Sequence, residues 1–518
     1  MSCFIWRKEE PIPLVDNRVK SVIIVGGGTA GWMAAAGIAK AIGSTNLQVT
    51  LIESEDIGIV GVGEATLPHL RYFIQSLGID EREFMAATDA TVKLGIEFVD
   101  WARVGDSYIH PFGDYGLPND GIPFHQFYHK HQSNGPICDY SLPIVAARKA
   151  KFELPSQNAS SVNSTYRFAY QFDATKFGPF LREHSERLGV KRVEGRIVNI
   201  EHSSDGNISA LGTEDGRRFS ADFFVDCSGF RGLLIDGALK TKWESWTKWL
   251  PCDRAIAAPC EHKGKLLPYT RATAKDAGWQ WRIPLQSRAG NGYVYSSQFI
   301  ANENAEREFL NSLEGAKLAD PRVLKFETGK RKKLWSKNCL SIGLSGGFLE
   351  PLESTSIYLI QQGITYFLEL FPEFKDHSIR ATEYNRMMDI EFERIRDFLI
   401  LHYHATERED TEFWREMKYL DVPQSLKEKM ELFKECGRVK TYANGLFLEP
   451  SWVAVYYGQR VIPDNYDSRV DMYPEDEVKT NLMRLKSLIA RSADNMMPHE
   501  QWLKQFCKIP HSPKESLN

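Results

Sequence analysis

A glycine-rich turn near the start of the chain constrains the fold most strongly. The apolar residues 22–25 are followed by Gly26, Gly28 and Gly31 in a Gly-x-Gly-x-x-Gly pattern, and then by a run of small residues. In a strand–turn–helix unit, the first glycine permits the tight turn, the second lets a pyrophosphate approach the backbone, and the third lets helix and strand pack closely. The helix N-terminus then presents N–H donors to the anion.

The sequence that follows supports a dinucleotide site. A second predicted strand, Gln48–Glu53, ends in an acid placed where it can accept hydrogen bonds from ribose hydroxyls. Thr29 and Ala30 lie within the turn and belong to the same predicted site. Two later strand ends carry glycines, residues 226–229 and 341–347, and this favours FAD over NAD. Val198 and Leu344 are also among the predicted FAD contacts.

The composition excludes several classes of function. Lys plus Arg total 64 and Asp plus Glu total 68, a net charge of -4 that does not suit a nucleic-acid binder. The eight cysteines include no Cys-x-x-Cys pair, so we predict reduced thiols and no metal site. The uncharged stretch 21–39 holds the glycine turn and is not read as a membrane span, and residues 1–20 are unlike a signal peptide. We expect a cytoplasmic protein with neither nucleic acid nor membrane among its partners.

The periodicity of the chain predicts an α/β fold with a helical C-terminal part. Short apolar runs predict strands, whereas spacings of three and four residues predict helices. We expect a Rossmann-like, FAD-dependent monooxygenase-like module over residues 18–355, with inserted substrate-side segments, and a mostly helical region over 356–518 that completes the substrate site. The predicted strands are Ser21–Val25, Gln48–Glu53, 196–202, Phe223–Asp226 and 340–343, and the predicted helices are 357–371, 382–402 and 475–492.

Three further segments have no explanation in cofactor binding alone. Gly278–Pro284 matches Trp-x-Trp-x-Ile-Pro, residues 61–66 read Gly-Val-Gly-Glu-Ala-Thr, and residues 348–355 read Phe-Leu-Glu-Pro-Leu-Glu-Ser-Thr. Together they resemble the flavin-dependent halogenases, often called the tryptophan halogenase family. The resemblance runs from about residue 22 to about residue 414 and is weaker beyond.

The resemblance implies an enzyme with two separate sites. FADH2 supplied by a separate flavin reductase reacts with oxygen, a bound chloride or bromide is oxidised to hypohalous acid, and the acid travels through a tunnel to a small aromatic substrate. Gly63, Glu64 and Ala65 would contact the cofactor. Lys93 matches the tunnel lysine and Glu353 the glutamate beside the substrate.

The chemistry of Lys93 and Glu353 fits those roles. An ammonium can hold and polarise hypohalous acid or, if burial lowers its pKa, attack it to form a haloamine; the sequence leaves both mechanisms open. Without the resemblance, Lys93 would be read as a solvated helix residue. A carboxylate at Glu353 can stabilise a cationic ring and accept its proton. The alternative is ordinary helix electrostatics, which we expect for Glu350.

The resemblance also assigns residues to the halide and to the flavin. The backbone N–H groups of Thr355 and Ser356 match the halide-binding pair, at the start of an apolar helix where donors lack partners. The second position is usually glycine in tryptophan-specific members, so the serine puts the local backbone angle in question. Trp279 and Trp281 would wall off the flavin from organic molecules; core packing is the alternative.

The substrate segment is His110, Pro111 and Phe112, which matches residues that stack on an indole ring. The C-terminal third departs from the tryptophan-specific pattern, because residues 440–444 lead directly to 445–452 without a clear set of groups for an amino acid's ammonium and carboxylate. We therefore expect an indole derivative, with tryptophan not favoured.

Two rival functions are an FAD-dependent aromatic hydroxylase and a binding module without turnover. Neither explains the presence of both Lys93 and Glu353. His402 and His404 form a His-x-His pair, but positions two apart do not share a helix face, so we do not predict a metal site there. A homodimer is a further expectation.

Overall fold

A computed structural model describes residues 18–43, 46–55, 63–131, 135–374, 376–440 and 445–507. Gly61 and Val62, from the second motif, and residues 441–444 lie outside these ranges. The predicted α/β class is confirmed, with strands and helices in mixed order along the chain.

A six-stranded sheet forms the first layer. Its neighbouring strands are parallel except for the last two, which are antiparallel. Ser21–Val25 lies near the centre because four of its five residues are buried and apolar. Across the sheet the order is Lys191–Glu194, Gln48–Glu53, Ser21–Val25, Phe223–Asp226, Cys339–Ser341 and Trp335–Ser336.

A seven-stranded sheet, which the sequence did not predict, forms the second layer. Its neighbours are antiparallel apart from one parallel pair, Thr270–Lys275 with Gly95–Val99. Gly278–Pro284 occupies the middle of this sheet, and its alternation places Trp279 and Trp281 on one face. The order is Arg322–Lys325, Arg254–Cys260, Ala289–Tyr295, Gly278–Pro284, Thr270–Lys275, Gly95–Val99 and Ser107–Pro111.

Smaller sheets connect these layers. One of them pairs Ala169–Asp173 with Gly63–Ala65 on one side and with Thr91–Lys93 on the other, both antiparallel. The others are Ile197–His202 with Ile208–Thr213 and Arg218–Phe219, Trp243–Ser245 with Gly329–Arg331 and Gly347–Phe348, and Lys151–Phe152 with Met497–Pro498.

Helices cover the sheets and dominate the chain after residue 355. The first helix is rich in alanine and glycine, which lets it pack closely against the helix that starts at Ser356. The α-helices are Thr29–Ile42, His69–Leu77, Glu81–Ala87, Phe124–Lys130, Leu142–Arg148, Ala174–Arg187, Asn302–Asn311, Ser356–Glu369, Ser378–His404, Glu412–Lys418, Gln424–Cys436, Glu449–Gly458, Glu475–Asn495 and His499–Phe506.

The largest core cluster contains buried residues from Val19 to Leu503, so both predicted regions contribute to it. The boundary between the two predicted regions, at residue 355, stays a prediction, because residues on both sides of it share this core. Among the helices in the described ranges, none combines the length and the apolar character needed to cross a membrane.

Candidate active site

The glycine turn has the geometry that a dinucleotide requires. Gly26 has φ of 109°, and a Cβ there would lie 2.3 Å from the carbonyl oxygen of Cys227. A Cβ on Gly31 would lie 1.9 Å from the carbonyl oxygen of Gly26, so helix and strand are in direct contact. At Gly28, no described heavy atom lies within 4 Å of a Cβ position. Gly28 therefore leaves open space where a pyrophosphate would approach.

A cavity of about 1100 Å³ extends from this turn. Glu53 lies on its wall, where one carboxylate oxygen accepts a hydrogen bond from Arg192. Val198 is 59% exposed, and its neighbour Ile197 lines the cavity instead, because side chains alternate along a strand. The other predicted cofactor residues on the wall are Gly26, Gly28, Thr29, Ala30, Gly63, Glu64, Ala65 and Leu344.

The cavity fits FAD in its chemistry as well as its extent. The glycine turn and Glu53 provide polar groups that suit a nucleotide, and much of the remaining wall is apolar and suits a flat ring system. Glu64 also lines the cavity, and burial raises the pKa of its carboxyl group to about 7. Protonation of Glu64 near neutral pH limits the negative charge inside the cavity.

Trp279 and Trp281 form one wall of the cavity, with ring centroids 6.1 Å apart. The indole N–H of Trp279 donates to Glu350 at 2.9 Å. Glu350 is completely buried and also accepts from the Tyr403 hydroxyl. The expectation that Glu350 serves only helix electrostatics is therefore wrong, because it orients a residue of the wall from inside the core. Burial raises its pKa to about 7.

Lys93 lies at the end of a strand and is completely buried, so it is not a solvated helix residue. Its Nζ donates to the carbonyl oxygen of Thr66 at 3.1 Å and to Oγ of Ser354 at 2.7 Å. It also lies 5.2 Å from the ring centroid of Phe112. Burial lowers the pKa of Lys93 to about 7, an effect that the negative charge of Glu353 opposes. Charged and neutral forms of this amine are both accessible near pH 7.

Ser354 joins Lys93 to the cavity, because it lines the cavity wall while accepting from the amine. It has φ of 59°, in the left-handed region. Ser356 begins the helix Ser356–Glu369 and is absent from the described positions with positive φ, so the serine at this position is not strained. Thr355 precedes that helix, and its buried Oγ1 has no hydrogen-bond partner within the described ranges.

Glu353 is completely buried between two histidines. Nδ1 of His110 lies 3.0 and 2.9 Å from its two carboxylate oxygens, and Nε2 of His402 lies 2.9 Å from Oε1. Burial favours the protonated carboxyl, but the two histidines outweigh it and lower the pKa of Glu353 to about 2. Glu353 is thus held as a carboxylate.

Aromatic rings surround the His110 side of this carboxylate. Phe112, Phe398 and Phe447 have ring centroids 6.4, 5.7 and 6.1 Å from that of His110. Phe447 stacks on Phe398 at 3.9 Å. Pro111 precedes Phe112 and ends its strand, Ser107–Pro111. The structure therefore brings the predicted substrate segment together with Glu353 and Lys93.

Sequence reasoning missed His402, Ser354 and Thr66 as members of this site. His402 was considered with His404 as a metal pair, yet it faces Glu353 whereas Nδ1 of His404 lies 3.3 Å from the carbonyl oxygen of Met417. Ser354 lies inside the Glu-Ser-Thr motif, so its position next to Glu353 was the available signal.

Comparison with known proteins agrees with this geometry. A family model described as tryptophan halogenase matches residues 21–475. Tryptophan 6-halogenase SttH from Streptomyces toxytricini is 37% identical over 458 residues, which cover 82% of this chain and 86% of that protein.

Two solved structures show the same fold over nearly the whole chain. BrvH, a flavin-dependent halogenase from Brevundimonas sp. BAL3, has a TM-score of 0.91 and 42% identity, covering 95% of this chain and 100% of that one. A flavin-dependent halogenase from Xanthomonas campestris has a TM-score of 0.92 and 43% identity, covering 96% and 100%. These relatives support the halogenase prediction over the hydroxylase and the binding module. The chain belongs to the tryptophan halogenase family and is a flavin-dependent halogenase that uses FADH2 and halide.

Proposed function

We propose that the substrate of this halogenase is an indole derivative other than free tryptophan, and that chloride or bromide is the halide. The observation that carries the proposal is the cluster of rings at the carboxylate, where Phe112, Phe398 and Phe447 surround His110. Flat apolar walls select a planar aromatic ring by stacking.

An acidic residue close in sequence to Phe447 has a histidine neighbour. Glu449 follows Phe447 by two residues, and its carboxylate lies 3.5 Å from Nδ1 of the buried His125. An amino acid substrate needs partners for both an ammonium and a carboxylate, and a carboxylate paired with His125 is a weaker partner for an ammonium. This arrangement favours an indole without the amino acid group.

FAD that is reduced by the separate reductase and bound in the cavity would activate O2, which is the oxidant that converts halide to hypohalous acid, with oxidised FAD and water as the other products. The glycine turn and Glu53 would hold the nucleotide part of FAD. Trp279 and Trp281 would exclude organic molecules from the part of the cavity that holds the flavin ring. Thr355 and Ser356 offer backbone N–H groups to the halide, since the first turn of a helix leaves donors unpaired.

Lys93 receives the hypohalous acid on the substrate side. A Lys93 ammonium carries three N–H groups, and two of them donate to Thr66 and Ser354. The third is available to donate to the oxygen of hypohalous acid. Hydrogen bonding makes the halogen more electrophilic. With its pKa lowered to about 7, the neutral amine can instead be halogenated, and both mechanisms remain proposals.

Glu353 completes the substitution. In the hydrogen-bonding mechanism, a bond forms between ring carbon and halogen, the halogen–oxygen bond breaks, and the oxygen takes a proton from the Lys93 ammonium and leaves as water. The carboxylate stabilises the cationic ring and then accepts the proton from the same ring carbon. Two residues that hold Glu353 in its charged form, His110 and His402, therefore support the reaction.

The experiment is a direct comparison of substrates. Purified enzyme with a flavin reductase, NADH, FAD and bromide is given indole or free tryptophan, and kcat/KM is measured for each. We expect indole to be brominated with the higher kcat/KM. A strong preference for tryptophan would contradict the proposal. The homodimer, the cytoplasmic location and the lack of nucleic-acid and membrane partners stay predictions.

A further inference from the structure

The last helix in the described ranges, His499–Phe506, lies against the strand that contains Lys93. The imidazole of His499 is completely buried, and its Nε2 lies 3.2 Å from the backbone nitrogen of Val92, the residue before Lys93. Its Nδ1 lies 2.9 Å from the carbonyl oxygen of Leu266. The first residue of this helix therefore contacts the chain directly beside the buried amine.

The backbone N–H of Val92 needs an acceptor outside its own sheet. Val92 lies opposite Tyr170, but the backbone N–H and carbonyl of Tyr170 both bond to Thr66 on the other side. The N–H of Val92 points instead to Nε2 of His499. Because a buried backbone donor without a partner is costly, this contact stabilises the strand.

The two contacts of His499 agree on one neutral tautomer. The N–H of Val92 is a donor, so Nε2 accepts, and the carbonyl oxygen of Leu266 only accepts, so Nδ1 carries the hydrogen. Burial lowers the pKa of His499 to about 4, which keeps the ring neutral near pH 7. His499 is thus suited to accept from the strand and to donate to the loop at the same time.

The residue after the lysine is tied to the same helix through this loop. The N–H of Leu94 donates to the carbonyl oxygen of Pro268 at 2.7 Å. Two residues earlier, the N–H of Leu266 donates to Oε1 of Glu500 at 2.8 Å, and its carbonyl oxygen accepts from His499. The backbone on both sides of the lysine is therefore held by neighbouring residues of one helix.

We propose that His499 and Glu500 are positioning residues for Lys93, and we call this pair the C-terminal clamp. The inference rests on the role proposed for Lys93 in halogenation. The Lys93 amine lies 2.7 Å from Oγ of Ser354, and a long side chain keeps such a contact only while its backbone is fixed. The clamp touches neither halide nor substrate and acts through the strand Thr91–Lys93.

The helix that carries the clamp is itself fixed to the core. The ring of Trp502 packs edge-on against Phe152, with centroids 4.6 Å apart, and Leu503 is buried. The two residues before the helix, Met497–Pro498, pair with the short strand Lys151–Phe152. The helix can therefore serve as a support for the strand.

Hydrogen–deuterium exchange of the full-length protein tests the contact without substrate or turnover. In His499→Asn, the side-chain amide can still donate to Leu266, but no atom reaches the N–H of Val92. In His499→Gln, the amide oxygen lies about where Nε2 lies in histidine and can accept from Val92. We expect the Val92 amide to exchange at least about fivefold faster in His499→Asn, the effect of losing one hydrogen bond, and close to the wild-type rate in His499→Gln. Equal rates in all three proteins would overturn the proposal.

The yield of halogenation separates positioning from a structural role. With FADH2 limiting and a thioether present to trap free hypobromous acid, brominated indole is measured per FADH2 oxidised by the enzyme. The yield should fall about tenfold in His499→Asn, because a small shift of a reacting group costs up to about 100-fold. His499→Gln should restore most of it. A wild-type yield in a His499→Asn protein with a lowered melting temperature would mean a structural role and would overturn the proposal.

A matched control is His131→Asn. His131 is also buried, and no described contact joins it to Lys93 or to the strand Thr91–Lys93. Its replacement should lower the melting temperature while Val92 exchange and halogenation yield stay at wild-type values. An equal loss of yield in His131→Asn and His499→Asn would contradict a specific role of the clamp.

A second variant covers the case in which His499→Asn does not fold. Glu500 is exposed, so Glu500→Ala leaves the core intact while it frees the N–H of Leu266. The Leu94 amide should then exchange faster, and an unchanged rate would overturn the proposal. An enzyme that brominates without Lys93 would contradict the proposed function, whereas the exchange rates would still test the clamp by themselves.

Discussion

A lysine without solvent contact is unusual in a folded chain, and Lys93 shows what such burial does to its chemistry. Its amine has two oxygen partners, Thr66 and Ser354, and its charge also interacts with the carboxylate of Glu353. Because desolvation outweighs that attraction, its pKa lies near 7 instead of 10.5. The residue can thus act as an ammonium or as a neutral amine close to neutral pH.

The buried amine of Lys93 should make the free energy of unfolding depend on pH. Between about pH 7 and 10.5 the unfolded chain holds the Lys93 proton more tightly than the folded chain, so folding gains stability as pH rises through this window. Relative to Lys93→Met, the wild type should therefore gain free energy of unfolding from pH 7 to pH 9. Urea unfolding at these pH values measures this. The same substitution at the exposed Lys263 should show no such trend, and an equal trend at both positions would contradict the account.

At the scale of residues, the resemblance to a family identifies more of the candidate site than local sequence patterns do. Lys93 and Glu353 were assigned because their motifs match a family, and the structure places both near His110. The sequence does not identify His402, because it contacts Glu353, which lies in a different element, the 3-10 turn Pro351–Glu353. The spacing of residues within one helix does not predict a contact of this kind. Val198 was placed in the cofactor site, although the alternation of its strand turns it outward.

At the scale of elements, periodicity predicted the parallel sheet well. The predicted strands Ser21–Val25, Gln48–Glu53 and Phe223–Asp226 have the observed bounds. The seven-stranded sheet was missed, although three of its strand pairs are short antiparallel hairpins, because two of its central strands, Gly278–Pro284 and Ala289–Tyr295, are buried at nearly every position. Ala289–Tyr295 is buried at all seven positions, so it lacks the alternation that marks a strand with one solvated face.

The glycine turn supplies a prediction about an element. In Gly26→Ala the new Cβ would clash with the carbonyl oxygen of Cys227, and the alanine would have to adopt a positive φ. We therefore expect this variant to lose both thermal stability and FAD binding. In Gly28→Ala the Cβ enters open space, so we expect FAD affinity to fall while the melting temperature of the FAD-free protein changes little. Flavin titration and thermal unfolding measure the two effects. Unchanged FAD affinity in Gly28→Ala would contradict the position given to the pyrophosphate.

At the scale of the whole molecule, two sites share one wall. Trp279 and Ser354 line the cavity, whereas Lys93 and Glu353 do not, and Lys93 contacts the cavity wall through its hydrogen bond to Ser354. We propose that this arrangement lets a small oxidant pass while it keeps organic molecules away from the flavin. It depends on both predicted regions, because residues from the glycine turn, the seven-stranded sheet and the C-terminal helices meet there. The sequence predicts these residues one at a time, but the distances between them are set by the packing of the whole fold.

The most direct test of the whole account is mass spectrometry of the product formed with indole, FADH2, oxygen and bromide. We predict a bromine isotope doublet with the wild type. For Lys93→Met, we predict a loss of about 100-fold or more in brominated product, with flavin binding and peroxide release retained. An oxygenated product without bromine, or undiminished bromination by Lys93→Met, would contradict the account.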